Sequence, residues 1–233
     1  MKQHADIETL DIEFCGEQIT LDAAGCLYWN DESLMVVSDL HLEKGSSFAM
    51  RSGMMVPPYD TQMTLEALAL RITHYQPKTI ISLGDSFHDA DASKRLPQSY
   101  KLALKQLMTD RDWIWICGNH DPHPPEDLGG TFCTEVFIGN LNFKHEPEIE
   151  FKPGEIAGHL HPAAKIRQRG KSVRRPCFIS DDHRLIMPSF GAYTGGLNVK
   201  DEAYSSLFEK KQIKAWLLSS GNIFEIAGNR LVK

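Results

Sequence analysis

The chain has 233 residues, of which 42% are hydrophobic and 24% charged, and its formal net charge is −6. This length fits one domain with a well-buried core, and the composition excludes collagen, a coiled coil and wholesale disorder. The negative charge argues against a globally basic nucleic-acid binder but leaves room for a local basic patch. No apolar run approaches the roughly 20 residues of a membrane helix, and the polar start lacks a signal core. We therefore expect a cytoplasmic protein without membrane contact. We also expect a single domain over residues 1–233.

The cysteines predict free thiols. Their number is odd, and no two of them form a C-x-x-C pair. A disulfide framework and a thiolate zinc cluster are therefore not expected, and the reading that fits is buried thiols in a reducing compartment. They are Cys15, Cys26, Cys117, Cys133 and Cys177.

The first half of the chain reads as alternating strands and helices. Short apolar runs at residues 34–37, 79–83 and 113–117 predict strands that are buried on both faces. A helix is expected between the first two runs, over residues 60–75, with Asp60 or Thr61 as its N-cap. A second helix is expected over residues 98–109, with Leu102, Leu104 and Leu107 on its apolar side.

The second half is richer in hairpins. Gly139–Asn140 separates two short apolar runs, Gly221–Asn222 separates two more, and residues 155–157 form another buried strand candidate. An α/β protein with two mixed sheets face to face and helices outside accommodates all of these pieces.

Potential metal ligands directly follow five of the predicted strands. The motifs are D-x-H, GD, GNHD, a single His and G-H-x-H, in that order along the chain. Each motif alone is typical of a turn, but ligands bind beyond the carboxyl ends of strands in α/β sheets, so five such ends can converge on one crevice. Carboxylate, imidazole and amide oxygen without thiolate suit Mn²⁺, Fe²⁺ or Zn²⁺, and two such cations can activate a water and clamp a phosphoryl group. The candidate ligands are Asp39, His41, Asp85, Asn119, His145, His159 and His161.

This order of motifs resembles the calcineurin-like metallophosphoesterase superfamily, which implies an αββα sandwich with a two-metal centre. Under the resemblance His120 contacts the scissile phosphate and assists the leaving oxygen, while Asp121 orients the His120 imidazole. The resemblance assigns the first metal to Asp39, His41 and His161, the second to Asn119, His145 and His159, and a bridging position to Asp85.

Longer stretches are similar to the bacterial ligase-associated DNA-damage-response endonuclease family, PdeM. That family implies a Mn²⁺-dependent phosphodiesterase and DNA endonuclease in DNA repair, with Fe²⁺ or Zn²⁺ as other possible metals. Genes of that family typically lie near those of an ATP-dependent DNA ligase and an Lhr-type helicase, which are therefore the expected partners. We expect DNA in single-stranded form as the substrate, while the sequence leaves ends, nicks and gaps open as alternatives. The stretches that carry the similarity are residues 38–49, 57–61, 83–89, 145–147, 157–162 and 190–198.

Other activities remain open at this stage. Phosphoprotein phosphatases carry an arginine in GDxxDRG, and Gly84–Ala90 has none, which favours diesters over a phosphomonoesterase. A small-molecule phosphodiesterase of the same superfamily is a further alternative. A non-catalytic metal-binding scaffold would require gaps in the ligand set, and none is visible. His88 can contact substrate or support the metal ligands from behind.

A basic stretch follows the last metal motif. It carries six basic residues within residues 165–175 and no acid, and Gly170 can fold it into a hairpin. We expect it to contact a nucleic-acid backbone, with a merely solvated hairpin as the alternative. Tyr193 can stack on a base or pack within its own loop. The basic residues are Lys165, Arg167, Arg169, Lys171, Arg174 and Arg175.

Overall fold

The computed structural model describes residues 8–52, 59–89, 91–122, 127–168, 170–208 and 213–233. Within these ranges the strands form a 7-stranded and a 9-stranded sheet. The first sheet contains β1 (Thr9–Phe14), β2 (Glu17–Asp22), β3 (Leu27–Trp29), β4 (Leu34–Val37), β5 (Thr79–Leu83), β6 (Asp112–Ile116) and β7 (Thr131–Cys133). The second contains β8 (Glu135–Ile138), β9 (Leu141–Lys144), β10 (Glu155–Ala157), β11 (Pro162–Gln168), β12 (Lys171–Ser180), β13 (Arg184–Ile186), β14 (Leu197–Asn198), β15 (Lys214–Ser219) and β16 (Asn222–Ala227). The helices are α1 (Lys44–Ser52), α2 (Asp60–Tyr75), α3 (Ala92–Arg95) and α4 (Gln98–Met108), with 3-10 turns η1 (Glu202–Tyr204) and η2 (Gly228–Arg230).

The parallel part of the first sheet confirms the predicted strands. β4, β5, β6 and β7 are parallel to one another, and β1 to β4 are antiparallel. All four residues of β4 are buried, as expected for a strand covered on both faces. Because these strands are parallel, the carboxyl ends of β4, β5 and β6 lie along one edge of the sheet.

The second sheet combines three hairpins with a parallel centre. β9, β10 and β13 are parallel, whereas β8 pairs with β9, β11 with β12 and β15 with β16 as antiparallel hairpins. The turn at Gly139–Asn140 is confirmed, while the other turn lies at Ser220–Gly221 because Asn222 already begins β16. The expected α/β architecture with two mixed sheets is confirmed.

Apolar side chains fill the layers on both sides of the first sheet. Val36, Leu83 and Phe143 belong to a buried cluster between the two sheets. On the other side of the first sheet, Leu68 of α2 and Leu104 of α4 lie in a cluster with strand residues. Leu102, predicted on the apolar side of α4, is instead 58% exposed.

The outer face of the second sheet has a thinner cover. Ile179, Ile186 and Leu217 pack there against Tyr204 and Phe208. In the described part of the chain these last two residues belong to η1 and the segment after it, so this cover is formed without an α-helix.

The predicted N-cap of α2 is wrong. Tyr59 occupies the N-cap position and makes no side-chain capping bond. The Asp60 carboxylate instead accepts a 2.8 Å hydrogen bond from the Gly45 N–H, and the Thr61 hydroxyl accepts one of 2.9 Å from the Glu43 N–H. Helices α1 and α2 begin side by side. The side chains of Asp60 and Thr61 therefore satisfy main-chain donors at the start of α1, directly after the D-x-H motif.

Two general predictions can be compared with the structure. All five cysteines are free, as their number and spacing predicted, but the expected burial holds only for Cys26 and Cys177, since Cys15, Cys117 and Cys133 are partly exposed. None of the helices among the described residues combines the length and the apolar character that crossing a membrane requires.

Candidate metal centre

The five ligand motifs come together where the two sheets meet. Asp39 and His41 follow β4, Asp85 follows β5, and Asn119 follows β6. From the second sheet, His145 follows β9 directly, while His159 and His161 follow β10. The metal-ligand candidates therefore lie on loops at the carboxyl ends of strands from both sheets, as the order of motifs predicted.

Asp39, His41 and His161 form a first cluster whose ligand atoms all lie within 4.8 Å of one another. The Nε2 atoms of His41 and His161 are 3.3 Å apart, and Asp39 Oδ1 lies 3.0 Å from His161 Nε2. Asp39 Oδ2 accepts hydrogen bonds from the Ser38 hydroxyl and the His159 N–H. Asp39 Oδ1 is buried and has no hydrogen-bond partner among the described residues. One carboxylate oxygen thus anchors the loop, and the other faces the imidazoles in a way that suits a cation.

Asp85, His145 and His159 form a second cluster of the same kind. Asn119 joins it, since its Oδ1 lies 3.0 Å from His145 Nε2 and 3.0 Å from His159 Nδ1. The 2.7 Å contact between His145 Nδ1 and the Leu83 carbonyl oxygen makes Nδ1 the donor, which leaves the Nε2 lone pair directed at the cluster. This arrangement fits a divalent cation held by oxygen and imidazole.

Asp85 lies between the two clusters. Its Oδ1 is 3.4 Å from His145 Nε2, and its Oδ2 is 3.9 Å from His41 Nε2. Burial opposes its ionisation, but the hydrogen bond and charge of His145 outweigh burial and lower the pKa of Asp85 to about 2. Burial lowers the pKa of His41 to about 3, so that imidazole is neutral at pH 7. Burial favours a neutral His145, but the hydrogen bond to Asp85 and the charges of Asp39 and Asp85 outweigh burial and raise the pKa of His145 to about 9. A charged carboxylate between imidazoles has the chemistry of a bridging metal ligand.

Five of the seven candidate ligands have a left-handed backbone. Their φ angles are 51° at Asp39, 44° at His41, 46° at Asp85, 67° at His159 and 44° at His161. Positive φ is uncommon outside glycine, and such a conformation costs about 1–3 kcal/mol. Strained backbone of this kind concentrates at functional sites, and here it coincides with the ligands.

The glycines of the ligand motifs let the loops touch. A Cβ atom on Gly84 would lie 2.5 Å from Cγ of His145. A Cβ on Gly118 would clash with the main chain of Asp85, and one on Gly158 would clash with the Ser38 hydroxyl. Each glycine therefore allows a ligand loop of one strand to approach that of another.

A family model for calcineurin-like phosphoesterases matches residues 33–221. The chain belongs to that family. A search of curated proteins finds no match. Together with the clustered histidines and carboxylates, the family makes this phosphoesterase a metal-dependent hydrolase.

The solved structure of a Pseudomonas nuclease agrees with this assignment. The crystal structure of the Pseudomonas putida nuclease MPE is 25% identical in sequence and aligns with a TM-score of 0.70, covering 94% of this chain and 100% of that one. YfcE, a phosphoesterase from E. coli, is 15% identical and aligns with a TM-score of 0.39 over 83% of this chain and 98% of its own. The match to the Pseudomonas nuclease is consistent with the ligase-associated endonuclease family.

His120 of the phosphoesterase is positioned by a main-chain carbonyl. Its Nδ1 lies 2.8 Å from the His88 carbonyl oxygen, so Nδ1–H donates there, and its Nε2 lies 3.9 Å from Asp85 Oδ2. The His120 side chain is 41% exposed, which makes it the accessible imidazole beside the clusters.

The expected contact between Asp121 and the His120 imidazole is wrong. The Asp121 carboxylate accepts hydrogen bonds from the Gly118 N–H at 3.2 Å and the Phe87 N–H at 3.0 Å. Both donors are buried main-chain groups that need an acceptor. Burial raises the pKa of Asp121 to about 7. Asp121 thus ties the GD and GNHD loops together rather than orienting His120.

His88 lies inside the site. Its ring is 5.3 Å from that of His120, nearly parallel to it, and 5.4 Å from that of His41, edge-on. The three histidines also form a group that could hold a cation. The His88 carbonyl oxygen positions His120, which is not one of the seven candidate ligands, and both roles considered for the His88 ring stay predictions.

Residues 189–191 support the first cluster, a role that the sequence did not suggest. The Ser189 hydroxyl and the Gly191 N–H both donate to the Asp39 carbonyl oxygen, and the Phe190 N–H donates to the Ser38 carbonyl oxygen. The signal that could have found this segment is its similarity to the endonuclease family over residues 190–198. The contacts of the Ser38 hydroxyl with Asp39 and of the Leu83 carbonyl oxygen with His145 were also missed. The second involves a main-chain acceptor, which leaves no mark in a sequence.

The predicted basic hairpin is present, with Gly170 at its turn and a φ of 78°. Because residues paired across the strands share a face, Lys165, Arg167 and Arg174 lie on one face. Lys171 and Arg175 lie on the opposite face. The basic residues are therefore divided between two faces, and Arg169 lies outside the described residues.

Three of these cations are engaged within the chain. Lys165 Nζ donates to the Lys233 carbonyl oxygen at 2.9 Å. Arg174 donates to the Gly196 carbonyl oxygen, and Arg175 Nε donates to the Ser219 hydroxyl at 3.1 Å. Tyr193 is 48% exposed on the loop that contains residues 189–196.

Proposed function

We propose that this phosphoesterase is a two-metal phosphodiesterase that cleaves DNA and serves in DNA repair. The observation that carries the proposal is the position of Asp85 between two separate clusters of metal-ligand candidates. The likeness to a Pseudomonas putida nuclease supports a nucleic-acid substrate.

The donor set supports divalent cations of intermediate hardness. Asp39, His41 and His161 would hold one ion, Asn119, His145 and His159 the other, and Asp85 would bridge them. Oxygen and imidazole donors without thiolate suit Mn²⁺, Fe²⁺ or Zn²⁺, of which the resemblance favours Mn²⁺. When bound, two such ions supply an activated water and neutralise the charge of the phosphoryl oxygens.

His120 serves the leaving group. Donation of Nδ1–H to the His88 carbonyl oxygen fixes the ring, and Nε2 points toward Asp85 at the centre of the site. A protonated Nε2 can give its proton to the departing oxygen as the P–O bond breaks. Asp121 acts indirectly, by holding together the loops that carry Asp85 and Asn119.

The expected substrate is a phosphodiester. Gly84–Ala90 lacks the arginine with which phosphoprotein phosphatases hold a dianionic monoester. A single-stranded DNA substrate and association with an ATP-dependent ligase and an Lhr-type helicase stay predictions from the resemblance.

The test compares four substrates after removal of metal by a chelator: circular single-stranded DNA, duplex DNA, an aryl phosphodiester and an aryl phosphomonoester. Each is assayed with Mn²⁺, Fe²⁺ and Zn²⁺. We expect metal-dependent cleavage of the aryl phosphodiester and of circular single-stranded DNA. Faster hydrolysis of the monoester than of the diester would support the phosphomonoesterase alternative, and full activity with chelator present would contradict the two-metal proposal.

A further inference from the structure

Two clefts of opposite charge flank the metal centre. One, of about 370 Å³, adjoins Asn119 and His145 and is lined by Glu135, Glu146 and Glu148. The only cation among its described lining residues is Lys144, whose Nζ lies 2.7 Å from Glu148 and 3.7 Å from Glu135. This first cleft is therefore acidic and repels phosphate.

The second cleft, of about 230 Å³, begins at His161 on the other side of the centre. It lies between the β11–β12 hairpin and the loop that contains Thr194 and Gly196, and its described lining residues include no acid. It is smaller than the roughly 300–1,000 Å³ of a typical small-molecule site. Its size suits a single phosphate group rather than a nucleobase with its sugar.

Arg174 and Arg175 both line the second cleft, and Arg174 is the one whose donors we assign to a ligand. Its guanidinium donates to the Gly196 carbonyl oxygen, which fixes the side chain against the opposite wall. No other hydrogen bond of this side chain occurs within the described chain, so its further N–H donors can serve a ligand. Arg175 differs, since its guanidinium is engaged by Ser219 and by the Arg174 carbonyl oxygen.

Thr194 adds a polar group without a partner. Its hydroxyl oxygen is buried and has no hydrogen-bond partner in the described structure, although the residue lines the cleft. A buried hydroxyl in this state destabilises the fold unless a ligand satisfies it. The same loop is bonded to the main chain of Ser38 and Asp39, so its distance from the metal ligands is fixed.

We propose that this second cleft is a phosphate site that binds the backbone phosphate next to the one that is cleaved. The proposal rests on the phosphodiesterase function above and deepens it. Arg174 and Thr194 hold the neighbouring phosphate on one side of the scissile bond, while the cleft lined by Glu135, Glu146 and Glu148 offers no such contact on the other side. The neighbouring phosphate on one side therefore adds to binding, and the one on the other side does not.

The test uses dinucleotides in which a methylene group replaces the bridging oxygen, so that binding is measured without cleavage. Three forms are compared on metal-loaded protein by titration calorimetry: no terminal phosphate, a 5′-phosphate or a 3′-phosphate. We expect one terminal phosphate to lower Kd about ten- to a hundredfold, as a charge-assisted contact does, and the other to have no such effect. Arg174→Gln removes this gain and Thr194→Val reduces it.

Lys105→Gln is the matched control, since it removes one positive charge from the exposed face of α4, away from the cleft. It should keep the full gain. Equal gains from both terminal phosphates, or a gain that persists in Arg174→Gln, would overturn the phosphate site. Hydrolysis of the aryl phosphodiester by the same preparations reports on the phosphodiesterase function separately. A failure of the phosphate site can therefore be distinguished from a failure of the phosphodiesterase proposal.

Discussion

The two ends of β10 show two different uses of buried charge. At its amino end Glu155 lies 2.6 Å from Arg184 Nε, and the two side chains are 2% and 0% exposed. Arg184 also donates to the Leu207 and Glu148 carbonyl oxygens, and its guanidinium lies 3.7 Å above the Phe151 ring. At the carboxyl end, His159 enters a group of carboxylates and imidazoles whose acceptor atoms face one another.

The difference separates a structural site from a functional one. The Arg184 side chain donates to three acceptors, which come from segments that are distant from Arg184 in the chain. It therefore holds these segments together. Around His159 and Asp85 the acceptor atoms of several side chains converge, although the His120 N–H donates to Asp85 Oδ1 at 2.9 Å, and this convergence favours a cation. Buried charge with complete partners therefore indicates stability, and converging acceptors indicate binding.

The largest effect is expected for Asp85→Ala. Because Asp85 lies between both clusters, its loss weakens both cation sites and removes several kcal/mol of transition-state stabilisation, or about 10⁴-fold in kcat/KM for an aryl phosphodiester. Elemental analysis should show the loss of at least one metal ion, while circular dichroism shows a native fold. Asp112→Ala, at the opposite end of the neighbouring strand, is the control with unchanged activity. An Asp85→Ala protein that retains metals and rate would place the reaction elsewhere.

His120→Ala should slow DNA cleavage by about 10²–10⁴-fold, the usual contribution of a positioned acid. The loss should be smaller for a nitrophenyl diester, because nitrophenolate departs without a proton. Both metals should remain bound, as elemental analysis can show. If the variant loses metal instead, His120 belongs to the ligand set and the assignment of its role is wrong.

Arg184→Met tests the other end of β10. It leaves Glu155 buried without its cation and should lower the free energy of unfolding by about 3–5 kcal/mol, measured by urea denaturation. Burial already raises the pKa of Glu155. The deficit should therefore shrink at low pH, where Glu155 is protonated, and deepen as pH rises through its folded-state pKa.

The double variant Arg184→Met/Glu155→Leu should recover part of that loss. Lys214→Gln, in the exposed pair of Lys214 with Asp182, should cost less than about 1 kcal/mol. A small change in the free energy of unfolding for Arg184→Met would show that the network of Arg184 and Glu155 contributes no more than an exposed ion pair. The distinction between the two ends of β10 would then be lost.

Local sequence signals predicted the buried strands that the ligand motifs follow, and the metal-binding roles of those residues stay a prediction. The run at residues 34–37 became β4 with the same bounds, and helix α2 spans the predicted residues 60–75. Signals that depend on a partner elsewhere in the chain failed. Asp60 serves Gly45 rather than its own helix, and Asp121 serves Gly118 and Phe87 rather than His120.

The sequence alone determined which residue types follow each buried strand, because apolar runs and the ligands after them are contiguous in the chain. That is enough to indicate a metal centre and a phosphoester chemistry. Only the tertiary structure decided which lone pairs face one another and that Asp85 lies between the clusters. It also decided that Arg174 and Arg175 line one cleft, in which Arg175 is engaged by Ser219. The physical reason is that these relations are distances between loops from different strands, and the packing of the two sheets sets those distances.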